Sequence, residues 1–95
     1  MGWRFAETPE QVTLTVTTAQ PPTAGTLWVA RAAVQDFRPA TWTPAPLASA
    51  GAGLSGEVAR AQGQYTAVYG ELVFSVDGQD LYVSTQPRIL APLAQ

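Results

Sequence analysis

Ninety-five residues are enough for one core between two packed layers and too few for two cores, so a single domain over residues 1–95 is expected. The charged fraction of 13% is about half that of an average soluble domain, and within a net charge of −2 the five arginines, Arg4, Arg31, Arg38, Arg60 and Arg88, form no basic stripe, so nucleic acid is not expected as a partner. The chain contains no Cys, His, Lys or Asn, which excludes disulfides, thiolate or imidazole metal ligands, Schiff-base chemistry and the usual general base within it.

Residues 1–7 hold no apolar stretch of signal-peptide length, and no later run approaches the roughly 20 apolar residues of a membrane span. The chain is therefore read as carrying no secretion address of its own and no membrane span. Gly2 invites N-myristoylation, but Ala6 stands where that signal needs Ser or Thr.

The first clear element is Val12-Thr13-Leu14-Thr15-Val16-Thr17-Thr18, in which apolar residues alternate with threonine. On a pleated strand this puts Val12, Leu14 and Val16 on one face. Gln20-Pro21-Pro22-Thr23-Ala24-Gly25 then breaks the chain, since proline cannot donate to a ladder. A second strand is expected over residues 26–34, with Trp28 at its apolar centre and therefore in the core. Asp36-Phe37-Arg38-Pro39 reads as a turn. Ala40-Thr41-Trp42-Thr43 reads as a short strand that Pro44 ends and confines to a sheet edge.

Residues 44–56, small and nearly uncharged, read as a long flexible Gly/Ala/Pro-rich surface loop. Residues 57–61 fit either a short strand or one helical turn, and continuity with their neighbours favours strand. The run Tyr65-Thr-Ala-Val-Tyr-Gly-Glu-Leu-Val-Phe-Ser-Val76 is rich in aromatic and β-branched residues. It meets Asp77-Gly78, a type I′ turn pair, and returns as residues 79–85, so a β-hairpin is expected. Gly70 inside that run suggests a bulge that aims Glu71 at solvent, or Glu71 pairs with an arginine such as Arg31 or Arg88. The pattern as a whole predicts an all-β fold: an antiparallel β-sandwich of about seven strands, of immunoglobulin or fibronectin-III-like type, with Tyr65 at the tyrosine-corner position.

Motifs that carry chemistry are few. Gly51-Ala-Gly-Leu-Ser-Gly56 matches the letters of a dinucleotide-binding loop, but Pro44 and Pro46 stand where the preceding buried strand should run. Glu57, Glu71, Asp77 and Asp80 are of the type that serves glycoside hydrolysis, yet Asp77 is already required by the turn and Asp80 lies beside it. Asp77 and Asp80 alone offer too few oxygens for calcium. The serines have no His or Lys to activate them. No catalytic residue, metal or cofactor is expected. The aromatic residues remain. Trp42, on a proline-flanked edge, either packs inward or points outward, and with Arg38 it forms the candidate binding surface.

Trp28-Val-Ala-Arg-Ala-Ala-Val-Gln-Asp-Phe-Arg38, Ala40-Thr41-Trp42, Gly63-Gln-Tyr-Thr-Ala-Val-Tyr-Gly-Glu-Leu-Val-Phe74 and Ser84-Thr-Gln-Pro-Arg88 resemble the C-terminal β-sandwich of PhoPQ-activated pathogenicity-related proteins. The likeness spans residues 27–92. It implies an accessory domain from a secreted or envelope-linked bacterial parent with a hydrolase-type portion. This chain holds no nucleophile elbow, so the hydrolytic activity does not carry over. At the matched positions Asp36, Phe37, Arg38, Tyr65 and Glu71 the resemblance implies packing and turn roles.

Two functions follow as expectations. The first is a non-catalytic accessory or interaction module that presents a sheet face or loops to a protein or glycan. The second is a structural, self-assembling unit, such as a capsid- or surface-decorating protein, associating through edge strands. A module is expected to be monomeric or weakly self-associating, an assembly unit multimeric.

Overall fold

The structure, a computed structural model, describes residues 2–18, 22–37, 40–50 and 53–93. Among these residues every regular element is a strand: β1 (Gly2–Glu7), β2 (Gln11–Thr17), β3 (Ala24–Ala32), β4 (Thr43–Pro46), β5 (Ala48–Ala50), β6 (Gly53–Ala59), β7 (Tyr65–Val76), β8 (Gln79–Ser84) and β9 (Arg88–Leu90). They build two antiparallel sheets, one in the order β1-β2-β6-β5 and one in the order β4-β3-β7-β8, with β9 paired to β7. The all-β, two-sheet expectation therefore holds.

The core follows from alternation. Val12, Leu14 and Val16 of β2 join Leu54 and Val58 of β6 from the first sheet, and Leu27, Val29, Val68, Leu72 and Leu90 meet them from the second. The threonines of β2 take the opposite face of the strand, as the sequence pattern requires. The sheets approach closely where Gly70 faces Leu14: a Cβ on Gly70 would lie 2.6 Å from the Leu14 Cδ2 atom, and Leu14 has almost no exposed surface in which to move. Close approach, and not a bulge, is the reason for that glycine. The β3–β7 register runs without interruption from Ala24↔Val73 to Ala32↔Tyr65.

The number of strands exceeds seven because two of them are broken. Residues 44–56, read as a flexible loop, are instead largely strand. The chain leaves the second sheet after β4, buries Leu47 between the layers, and enters the first sheet as β5. Pro44, expected to end a strand, lies within β4. It and Pro46 are two residues apart and pair with Trp28 and Thr26, so both ring nitrogens fall on the same side of an edge strand and leave the ladder to β3 free. The short strand expected at residues 40–43 is displaced: residues 40–42 are not strand, and β4 from Thr43 to Pro46 forms the sheet edge instead. On the other side of β7, β8 and β9 flank residues 85–87. There Thr85 N donates to Gly70 O (2.8 Å) while Gly70 N donates to Thr85 Oγ1 (2.9 Å), so the threonine side chain replaces a missing backbone acceptor.

The strand-edge hairpin is as the sequence predicts. Asp77 and Gly78 have φ of 52° and 79°, the pair of positive values a type I′ turn requires, and Val76 pairs with Gln79. Tyr65 opens β7, but among the described residues its hydroxyl has no hydrogen-bond partner, so the tyrosine corner itself is not formed. Of the turn at residues 36–39, Ala40 N donates to Phe37 O (3.1 Å) and Arg38 and Pro39 lie outside the described residues.

One polar cluster joins the two sheets at their β1 and β9 edges. Glu7 accepts from Arg60 Nη2 at 3.0 Å and from the Arg88 guanidinium, while Arg60 also donates to the carbonyls of Thr8 (3.1 Å) and Ala91 (3.3 Å). Arg88 stacks over the Phe5 ring, 5.1 Å from its centroid. Arg60 is the pivot: its side chain is only 14% exposed, so its donors act in a partly desolvated site.

Two substitutions test this packing in opposite directions. Thr66 is fully buried and among the described residues its hydroxyl has no partner, so Thr66→Val is expected to raise stability by about 1 kcal/mol, read as a higher urea midpoint at unchanged slope. Gly78→Val, which forces a β-branched residue into positive φ, is expected to lower it by about 1 kcal/mol or more in the same assay.

Candidate functional site

The same alternation that fills the core decides what the second sheet shows on its other side. Leu27 and Val29 are buried in the core, so Trp28 between them projects from the outer face, where it is half-buried. This corrects the core placement expected for Trp28: an apolar centre of a strand still has two faces. On β7, Val68, Gly70 and Leu72 face inward and Tyr69 and Glu71 outward by the same parity.

Register then brings the outward residues together. Trp28 is directly opposite Tyr69 on one side and Pro44 on the other. One ladder step away, about 7 Å along the strands, Thr26 is opposite Glu71, and Glu71 is opposite Ser84. An aromatic row thus lies beside a row of hydroxyl, carboxylate and hydroxyl. The rows are linked, since Trp28 Nε1 donates to Glu71 Oε1 at 3.4 Å. Trp42, just before β4, completes the cluster: its ring centroid is 5.2 Å from that of Tyr69 with 65° between the planes, an edge-to-face contact. Trp42 is therefore half-buried on this face, packed and outward at once. Ala30 and Ala67, also on outward parity and paired with each other, are nonetheless buried. At the far end Val73 is opposite Tyr82, which is 62% exposed.

The electrostatics are simple. Neither of the arginines considered for Glu71 reaches it: Arg31 donates to Ala59 O (3.0 Å) and Arg88 to Glu7. The Tyr69 phenol is held above its ordinary 10.0, first by burial and then by the neighbouring Glu71 carboxylate, both of which disfavour a phenolate.

Of the residues singled out in the sequence, Trp42 joins the cluster and Arg38 lies outside the described residues. Asp77 and Asp80 are exposed at the hairpin tip and Glu57 is exposed on β6, far from one another in the register. Gly53 and Gly56 lie within β6, and Gly51 and Ala52 lie outside the described residues. Tyr69 and the outward placement of Trp28 escaped the sequence reading, although the parity of Leu27 and Val29 against Trp28 carried the signal. No family model, no curated protein and no solved structure matches the chain.

The coupling of Tyr69 to Glu71 is measurable. In a chain with Tyr65 and Tyr82 changed to Phe, phenolate absorbance is expected to report a Tyr69 pKa above 10.0 that moves down in Glu71→Gln. Because the folded value is the raised one, the stability tied to this group is complete below pH 10 and is lost as pH rises through the folded value. Alkaline destabilisation should accordingly be shallower in Tyr69→Phe.

Proposed function

We propose that the chain is a non-catalytic interaction module of the immunoglobulin or fibronectin type, which offers the outer face of its second sheet to a protein or glycan. The observation that carries this reading is the cluster of Trp28, Trp42, Tyr69 and Glu71: three aromatic rings and a carboxylate drawn together on an outer face, where packing of the core does not require them. The immunoglobulin-type reading is supported by strand order. Lettered in chain order, β1-β2-β6-β5 reads A-B-E-D, and β3-β7-β8 reads C-F-G with β4 as an added strand beside C. The crossing from β4 to β5 is then the passage from that added strand to D. The resemblance to the C-terminal domain of PhoPQ-activated pathogenicity-related proteins supports an accessory role beside a larger, secreted or envelope-linked portion.

The experiment is a glycan and protein array probed with the chain and with Trp42→Ala, both checked for native thermal melting. A hit that disappears in Trp42→Ala is expected, together with silence on an esterase and glycosidase panel. Turnover that vanishes in Glu71→Gln would overturn the reading.

Self-assembly is favoured by one other observation. Val76 and Leu81 have core-facing parity but are 48% and 53% exposed, so the end of the β7–β8 hairpin carries uncovered apolar surface. Sedimentation at micromolar concentration separates the readings: the module is expected to be a monomer, the assembly unit a multimer.

A further inference from the structure

Resting on the interaction-module reading, we infer that the group this face accepts is the guanidinium of an arginine on a partner protein, seated against Trp28 and Tyr69 and hydrogen-bonded to Glu71. Three features of the cluster select that chemistry. The first is charge. Glu71 is half-buried, and among the described residues no cation lies against it, whereas Glu7, at a sheet edge, takes two arginines. Among the described residues its one hydrogen-bond donor is the Trp28 N–H. A carboxylate left without a cation beside aromatic faces is complementary to a positive ligand, which gains both the ion pair and attraction to the ring quadrupole.

The second is geometry. Trp28 and Tyr69 are direct cross-strand partners and Glu71 lies one ladder step along the same face, so ring surface and carboxylate adjoin. A compact planar cation is served by a ring face with an anionic acceptor at its edge. The third is orientation. Trp28 Nε1 donates a long hydrogen bond to Oε1 of Glu71, which leaves Oε2 for a ligand. Thr26 and Ser84, opposite Glu71 on either side, add hydroxyl acceptors for the remaining guanidinium donors. Arginine fits this set better than lysine because its fork of donors is planar and stacks while it hydrogen-bonds.

The test uses the intact chain labelled with nitrogen-15, following the indole N–H resonances of Trp28 and Trp42. The probes are N-acetyl-arginine amide, its neutral isostere N-acetyl-citrulline amide, and cellobiose. The expected result is a saturable shift of both indole signals with the arginine probe, at least about tenfold weaker binding of the citrulline probe, and a similar loss in Glu71→Gln. Raised ionic strength should weaken arginine binding to the unmodified chain, a readout independent of any variant's folding. Equal affinity for arginine and citrulline, a response to cellobiose alone, salt-independent binding, or silence with all three probes would overturn the inference. An array hit lost in Trp42→Ala would in that case leave the module reading standing without it.

Discussion

The rest of the structure depends on the register between β3 and β7, nine consecutive pairs from Ala24↔Val73 to Ala32↔Tyr65. Because side chains alternate with a period of two, this one alignment fixes both surfaces of the second sheet. On one side it lays Leu27, Val29, Val68 and Leu72 against β2 and β6 of the opposite layer. On the other it sets Trp28 beside Tyr69 and Thr26 beside Glu71. A slip of one residue on β3 would turn Leu27 and Val29 out and Trp28 in, costing the core and dissolving the aromatic cluster together. Stability and the candidate binding face are thus two consequences of the same pairing.

The remaining strands complete a sheet pair whose edges are managed by different means. Proline blunts β4, where Pro44 and Pro46 remove donors from the outer side of the strand and discourage further pairing. Thr85 carries the β7 ladder across the interval between β8 and β9. At the β1 and β9 edges the Glu7, Arg60 and Arg88 group joins the layers by charge-assisted hydrogen bonds. Leu47, buried between β4 and β5, anchors the one strand-to-strand crossing that passes from one sheet to the other within two residues.

Low charge gives the acids that remain more definite roles. Glu7 is used to join the layers, Asp77 to meet the positive φ of the turn, and Glu71 to stand among aromatic rings with a single indole donor. The raised phenol of Tyr69 is the measurable trace of that last arrangement, since burial and a nearby carboxylate act on it in the same direction. An outer sheet face that only needed to be wetted would be better served by threonine, as on β2, than by two tryptophans and a tyrosine.

What the sequence determined by itself is what depends on neighbours along the chain. The alternation at Val12 to Val16, the extent of β7 and the Asp77-Gly78 turn are local patterns, and each appears where the spacing put it. Only the tertiary structure decided the rest. Residues 44–56 look like a loop until β3 and β6 supply their partners, because prolines and small residues have no strand preference of their own. Gly70 looks like a bulge until Leu14 arrives from the other sheet. Trp28, Trp42, Tyr69 and Glu71 are up to 43 residues apart, and no local rule joins them. Their meeting is set by which strands pair and in what register, a choice that the chain makes only when both layers bury their apolar faces at once.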